Sequence, residues 1–135
     1  MVALDTNVLV RLITRDDASQ TEAAERYLWN GEWISHLVLA EALWVLDSVY
    51  ELDPKRIAMA VDMLLNHSEL VLQDPEVISA ALVQFRAKPS LRFSDCLVLE
   101  IARKAGHIPL GTFDRALGRR EGAQLIPLRG APRPH

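Results

Sequence analysis

Four carboxylates in this sequence stand in settings where carboxylates do chemistry. Asp5 closes the run Leu4-Asp5-Thr6-Asn7, Glu41 sits within AEALWVL, Asp95 within FSDCLVLEIARKAG and Asp114 within GTFDRAL. Each also has an ordinary structural use. Asp5, Asp95 and Asp114 stand at the starts of helical patterns, where an acid caps the first turn or complements the positive end of the helix dipole. Glu41 is harder to explain that way, because Leu37, Val38, Trp44 and Val45, its neighbours three and four residues away, are all apolar. The pattern predicts Glu41 on a buried stripe, where a carboxylate needs a cation, a hydrogen bond or a proton. If the elements carrying these acids converge, like charges crowd one pocket and a divalent cation neutralises them. Mg²⁺, with Mn²⁺ as its substitute, prefers oxygen ligands and keeps several waters, which suits a site made of a few acids. A soft-metal centre is not supported, since His36, His67, His107 and His135 are widely spaced and there is one cysteine, Cys96. Cys96 reads as a small core residue that stays reduced, and His36 as a helix-start residue.

The elements that must position these acids follow from periodicity. A short apolar run, Val2 to Leu4, feeds directly into a helix carrying Val8, Leu9, Leu12 and Ile13. Asp16-Asp17-Ala18-Ser19 opens a second helix that Gly31 stops, and Trp33-Ile34-Ser35 is a second strand. A third helix runs from about His36 to Tyr50, and Asp53-Pro54 opens a fourth that ends near His67. A third strand spans Glu69 to Gln73, Asp74-Pro75 opens a fifth helix, and Ser94 is read as the cap of a sixth that stops at Gly106. Ile108 to Thr112 and Gln124 to Leu128 are the last strands, around a short helix near Arg115 to Arg119. Short apolar strands alternating with helices give an α/β domain with a mostly parallel sheet of about five strands. In such sheets the ligand crevice lies beyond the carboxyl ends of the strands, where strand order reverses. Asp5 ends the first strand and Asp114 lies just past the fourth, so they share that crevice if the two strands are neighbours.

At 135 residues, half of them hydrophobic, the chain suits one domain over residues 1–128 with a frayed tail over 129–135. No basic leader or membrane-length apolar run is evident, which points to a soluble, cytoplasmic protein. The net charge of −3 conceals an asymmetry: residues 1–85 carry 5 basic and 14 acidic side chains, residues 86–135 carry 10 and 4. A basic flank of Arg86, Lys88, Arg92, Arg103, Lys104, Arg115, Arg119 and Arg120 is thus available to a phosphate backbone, or merely to solvent.

The motifs quoted above, LDTNVLVR, AEALWVL, FSDCLVLEIARKAG and GTFDRAL, together resemble the PIN domains, and in particular the VapC-type toxins of bacterial toxin-antitoxin pairs. The resemblance runs from Leu4 to about Leu128. It implies a three-layer α/β/α sandwich, a metal site built from Asp5, Glu41, Asp95 and Asp114, and Mg²⁺- or Mn²⁺-dependent endoribonuclease activity. Asn7 and Thr112 match positions where the family often carries polar residues that orient the carboxylates or a water. Metal held by Asp5, Asp95 and Asp114 would polarise the scissile phosphate, with Glu41 helping to activate a water. A water nucleophile predicts 5′-phosphate and 3′-hydroxyl products. Where some relatives carry a further acid after the last motif, this chain has Arg115-Ala116-Leu117, which leaves the number of metals open. The resemblance also implies partners: an RNA substrate, a cognate antitoxin that places a cationic side chain in the acidic pocket, and a second copy of the chain. Trp29, Trp33 and Trp44 are candidates for such interfaces or for the core.

Two other readings use the same residues. An aspartyl-phosphate phosphatase also starts with Asp after a first strand, but it needs a second acid two residues on, where this chain has Asn7. A catalytically inactive PIN-like module would keep the fold and bind a partner without hydrolysis.

Overall fold

Helix starts in this chain are written in capping chemistry. The computed structural model of the protein describes residues 1–28 and 31–129. Within it, Asp5, Asp17, Ser35 and Asp53 each accept a first-turn backbone N–H, opening α1 (Thr6–Thr14), α2 (Ala18–Tyr27), α3 (His36–Ser48) and α4 (Pro54–Leu65). Pro54 and Pro75 stand at the starts of α4 and α5 (Pro75–Ala87), where the missing N–H costs nothing. The helix α6 (Phe93–Ala105) ends on Gly106, whose φ of 82° is left-handed. Its cap position is Arg92, not Ser94, so Ser94 and Asp95 both lie inside the first turn. Asp114 caps the short α7 (Arg115–Gly118).

The five strands among the described residues are β1 (Val2–Ala3), β2 (Glu32–Ile34), β3 (Leu70–Leu72), β4 (Leu110–Thr112) and β5 (Ala123–Leu125). All their pairings are parallel, each separated by helix, as the α/β pattern requires. They form two ladders rather than one continuous sheet: β1-β2-β3 and β4-β5. Hence β1 and β4 are not hydrogen-bonded neighbours among the described residues, and the condition for Asp5 and Asp114 to share a crevice through adjacent strands is not met. With only two residues in β1 and three in β4, few backbone groups are left to bridge the ladders.

Leu9, Ile34, Leu39, Leu46, Ile78 and Leu99 are fully enclosed, and they come from α1, β2, α3, α5 and α6. Around this core α1 packs on α3, α3 on α6, α6 on α5 and α5 on α4. Cys96 is buried in it, and burial pushes its thiol up to about 11. In the first ladder Ile34, Leu70 and Leu72 face inward while Trp33 and Val71, paired in register, face out. Of the three tryptophans, Trp33 and Trp44 are surface residues and Trp29 lies outside the described residues, as do His135 and the tail from residue 130. No helix among the described residues is long and apolar enough to cross a membrane.

Candidate active site

Leu4 extends the β1 ladder by one hydrogen bond to Trp33 (2.9 Å), after which the chain turns at Asp5 into α1. The Asp5 Oδ1 accepts the Thr6 N–H at 2.8 Å, so the capping use foreseen for Asp5 is real. Next to it, Thr6 Oγ1 donates to Glu41 Oε2 at 2.8 Å, across the contact between α1 and α3. A single residue thus ties the acid at the end of β1 to the acid on α3. Thr6 was not singled out from sequence, where its only signal is its place between Asp5 and Asn7.

Glu41 itself is exposed, which corrects the buried stripe inferred from its neighbours. The helix α3 buries Leu39, Ala42, Leu43 and Leu46, and Glu41 lies outside that stripe. Two of its apolar neighbours share that exposure, Leu37 at 68% and Trp44 at 56%, while Val38 and Val45 are half-buried against the core. A carboxylate there keeps water and needs no buried cation, and the Thr6 hydroxyl takes up one of its acceptor sites.

Asp95 is half-buried in the first turn of α6, where its N–H bonds Arg92 O at 3.1 Å. Since α6 packs against α3, the elements carrying Asp95 and Glu41 are in contact. Asp114 is exposed past β4: its Oδ1 accepts the Leu117 N–H at 2.8 Å, and its own N–H donates to Thr112 Oγ1 at 3.0 Å. Thr112 therefore fixes the backbone at Asp114. Asn7 and Asp5 line a cavity of about 560 Å³ between α1 and α2, together with Arg11, Gln20 and Tyr27.

The donor chemistry of the four acids suits a hard divalent cation. Their spacing in this structure does not: among the described residues no group of three or more Asp, Glu, His or Cys stands close enough to hold a metal ion. What the structure assembles is the Asp5–Thr6–Glu41 connection, with Asp95 on a packed neighbour and Asp114 on the second ladder.

The basic flank divides in two. Arg103 binds Glu100 Oε2 at 3.1 Å and Glu121 O at 2.6 Å, Arg120 binds Gln84 Oε1 at 2.8 Å, and Lys104 pairs with Asp74 and Glu76. These cations are engaged in the fold. Arg86, Lys88, Arg92, Arg115 and Arg119 are exposed and make no ion pair among the described residues, so theirs is the charge available to a polyanion.

Comparison with known proteins adds two findings. The family model of the PIN domain matches residues 2–123. Among solved structures, the crystal structure of VapC20 from Mycobacterium tuberculosis, described as a Sarcin-Ricin loop cleaving toxin, aligns with a TM-score of 0.41 at 18% identity. That alignment covers 94% of this chain and 100% of the other. No curated protein is similar enough to this chain to count as a match.

Proposed function

Because this chain belongs to the PIN-domain family over residues 2–123, we propose that it is a metal-dependent endoribonuclease and the toxin of a toxin-antitoxin pair. The observation that carries the reading is the connection of Asp5 through Thr6 to Glu41, which draws together acids from two of the four motifs of the resemblance. Asp5, Glu41, Asp95 and Asp114 are the proposed metal and catalytic residues, supported by Asn7 and Thr112. A bound Mg²⁺ or Mn²⁺ would supply charge neutralisation and Lewis-acid polarisation of the phosphate, and holding it would require these acids to draw closer than they stand among the described residues. The chain's own part is positioning. Glu41, held by Thr6, keeps free acceptor sites for a water, and Thr112 holds the backbone from which Asp114 projects. An antitoxin with an arginine for the acidic site, and a second copy of the chain, are the proposed protein partners in a cytoplasmic setting. The proposed domain spans residues 1–128.

A second reading, an inactive module that binds a partner, draws on two observations: among the described residues no chelating group is assembled, and Asp5 and Asp114 both serve as helix caps. The variant Asp5→Asn separates the two, because asparagine caps as well as aspartate. The expected result is RNA cleavage by the parent only with Mg²⁺ or Mn²⁺, and its loss in Asp5→Asn with little change in melting temperature. Cleavage by the parent that persists in excess EDTA would refute the metal-dependent reading. No cleavage of any RNA, with no Mn²⁺ heat in calorimetry, would establish the inactive module.

A further inference from the structure

Between α3 and the turn that joins α5 to α6 lies a cavity of about 270 Å³ that none of the four acids lines. Trp44 on α3 forms one wall, and the turn between α5 and α6, with Ser90 and Arg92, forms another together with Ser94 at the start of α6. Trp44 stands three residues from Glu41 on α3, so the cavity wall and that acid are neighbours along one face of the helix. Trp44 is 56% exposed although it is the largest side chain type, so its ring is only partly used by the fold. Arg92 is exposed and unpaired among the described residues, and the Asp47 carboxylate on the same cavity accepts no hydrogen bond among them. An aromatic face, a free guanidinium and an acceptor-only carboxylate in a space near the lower end of small-ligand sites, roughly 300–1,000 Å³, match one unstacked nucleotide.

Resting on the ribonuclease reading, we infer that this cavity receives a base of the RNA strand adjoining the scissile phosphate, with Trp44 as its stacking residue and Asp47 as a specificity-determining one. Trp44 stacks on the base, a contact every base can make. Arg92 holds the adjoining phosphate through its guanidinium. Asp47 can only accept, so it favours guanine, whose N1–H and exocyclic amine both donate to one carboxylate, over uracil, whose single N3–H lies between two carbonyl oxygens.

The test uses the full chain and a short unstructured oligoribonucleotide. In EDTA, which suppresses turnover, the RNA quenches tryptophan fluorescence of the parent, and most of that quenching disappears in Trp44→Phe, which keeps a stacking ring but not the indole. Affinity by anisotropy of labelled RNA is retained in Trp44→Phe and falls roughly tenfold in Trp44→Ala. In Mg²⁺, mapped cleavage ends favour guanine next to the cut. Trp44→Ala raises KM more than it lowers kcat and flattens that preference, Trp44→Phe restores it, and Asp47→Asn admits uracil. Quenching that survives in Trp44→Phe, or equal affinity of Trp44→Ala and parent, overturns the base site. If the parent cuts RNA and Trp44→Ala keeps the same profile, the ribonuclease stands and the base site falls. If Trp44 is quenched but no RNA is cut, the base site stands and the ribonuclease reading falls.

Discussion

Thr6 does at the residue scale what no pattern in the sequence announces. Its backbone N–H satisfies Asp5 and its hydroxyl satisfies Glu41, so one residue orients two acids from different elements. Glu41 was misplaced by sequence reasoning for a physical reason: three-and-four spacing identifies neighbours on a helix, but it cannot say whether those neighbours are themselves buried. Here Leu37 and Trp44 are more than half exposed, and the acid between them is wet. The identities of the four acids were legible because each lies in a motif; their mutual distances were not, because those depend on how α3, α6 and the second ladder pack. Thr6→Val keeps the shape and removes the hydroxyl. As a bond between exposed groups it contributes about 1 kcal/mol or less to stability, so thermal melts should barely move. RNA turnover should nevertheless fall by about tenfold or more, the scale of a lost catalytic orientation, and Thr6→Ser should restore it. Turnover in Thr6→Val equal to the parent would show that the tie is only structural.

At the scale of elements, the order of helices and strands was readable because this chain marks helix starts with Asp or Ser and two of them with proline. Strand partners were not readable. Strands of two or three residues carry too little alternation to reveal an edge, and nothing local says that β4 and β5 form a ladder of their own. That ladder is fastened to the helices by polar contacts. Glu100, 7% exposed, is held by Arg103 at 3.1 Å and Gln84 at 3.3 Å, while Arg103 also reaches Glu121 O and Arg120 reaches Gln84. The backbone at Gly122 passes so close to Arg103 that an added Cβ would lie 2.9 Å from the guanidinium. Arg103→Ala should therefore cost about 2 kcal/mol: it strands a nearly buried carboxylate, but the pair's partly open edge keeps the cost below the roughly 3–5 kcal/mol of a fully buried pair. Denaturant unfolding measures this. A variant within about 0.5 kcal/mol of the parent would show that the ladder is held by its apolar contacts instead.

For the molecule as a whole, the charge asymmetry of the sequence is partly spent within the fold, and this governs its stability in acid. The acids of the first 85 residues reach across to cations of the last third where Lys104 bridges Asp74 and Glu76. The Lys104 ammonium, foremost, holds the Glu76 carboxyl down to about 2 from an ordinary 4.5. Elsewhere, the Tyr50 hydroxyl at 2.6 Å, then the Thr14 hydroxyl and Arg11, lower Asp16 below its usual range. A carboxyl whose pKa is lower folded than unfolded binds more protons in the unfolded chain throughout that interval, so stability falls as pH falls. The stabilisation from Glu76 is fully present above its unfolded value of 4.5 and is lost as pH drops toward about 2. Both groups are solvent-facing, and salt screens them, so the acid limb should steepen at low ionic strength. Glu76→Gln removes one titrating group without removing the side chain's shape. Its melting temperature should lie below the parent's at pH 7, converge with it near pH 2, and vary less between those limits. Melts across that range in low salt provide the measurement, and an acid limb in Glu76→Gln that parallels the parent's would mean that the Glu76 arm of the bridge contributes nothing to acid stability, the Asp74–Lys104 pair being left in place.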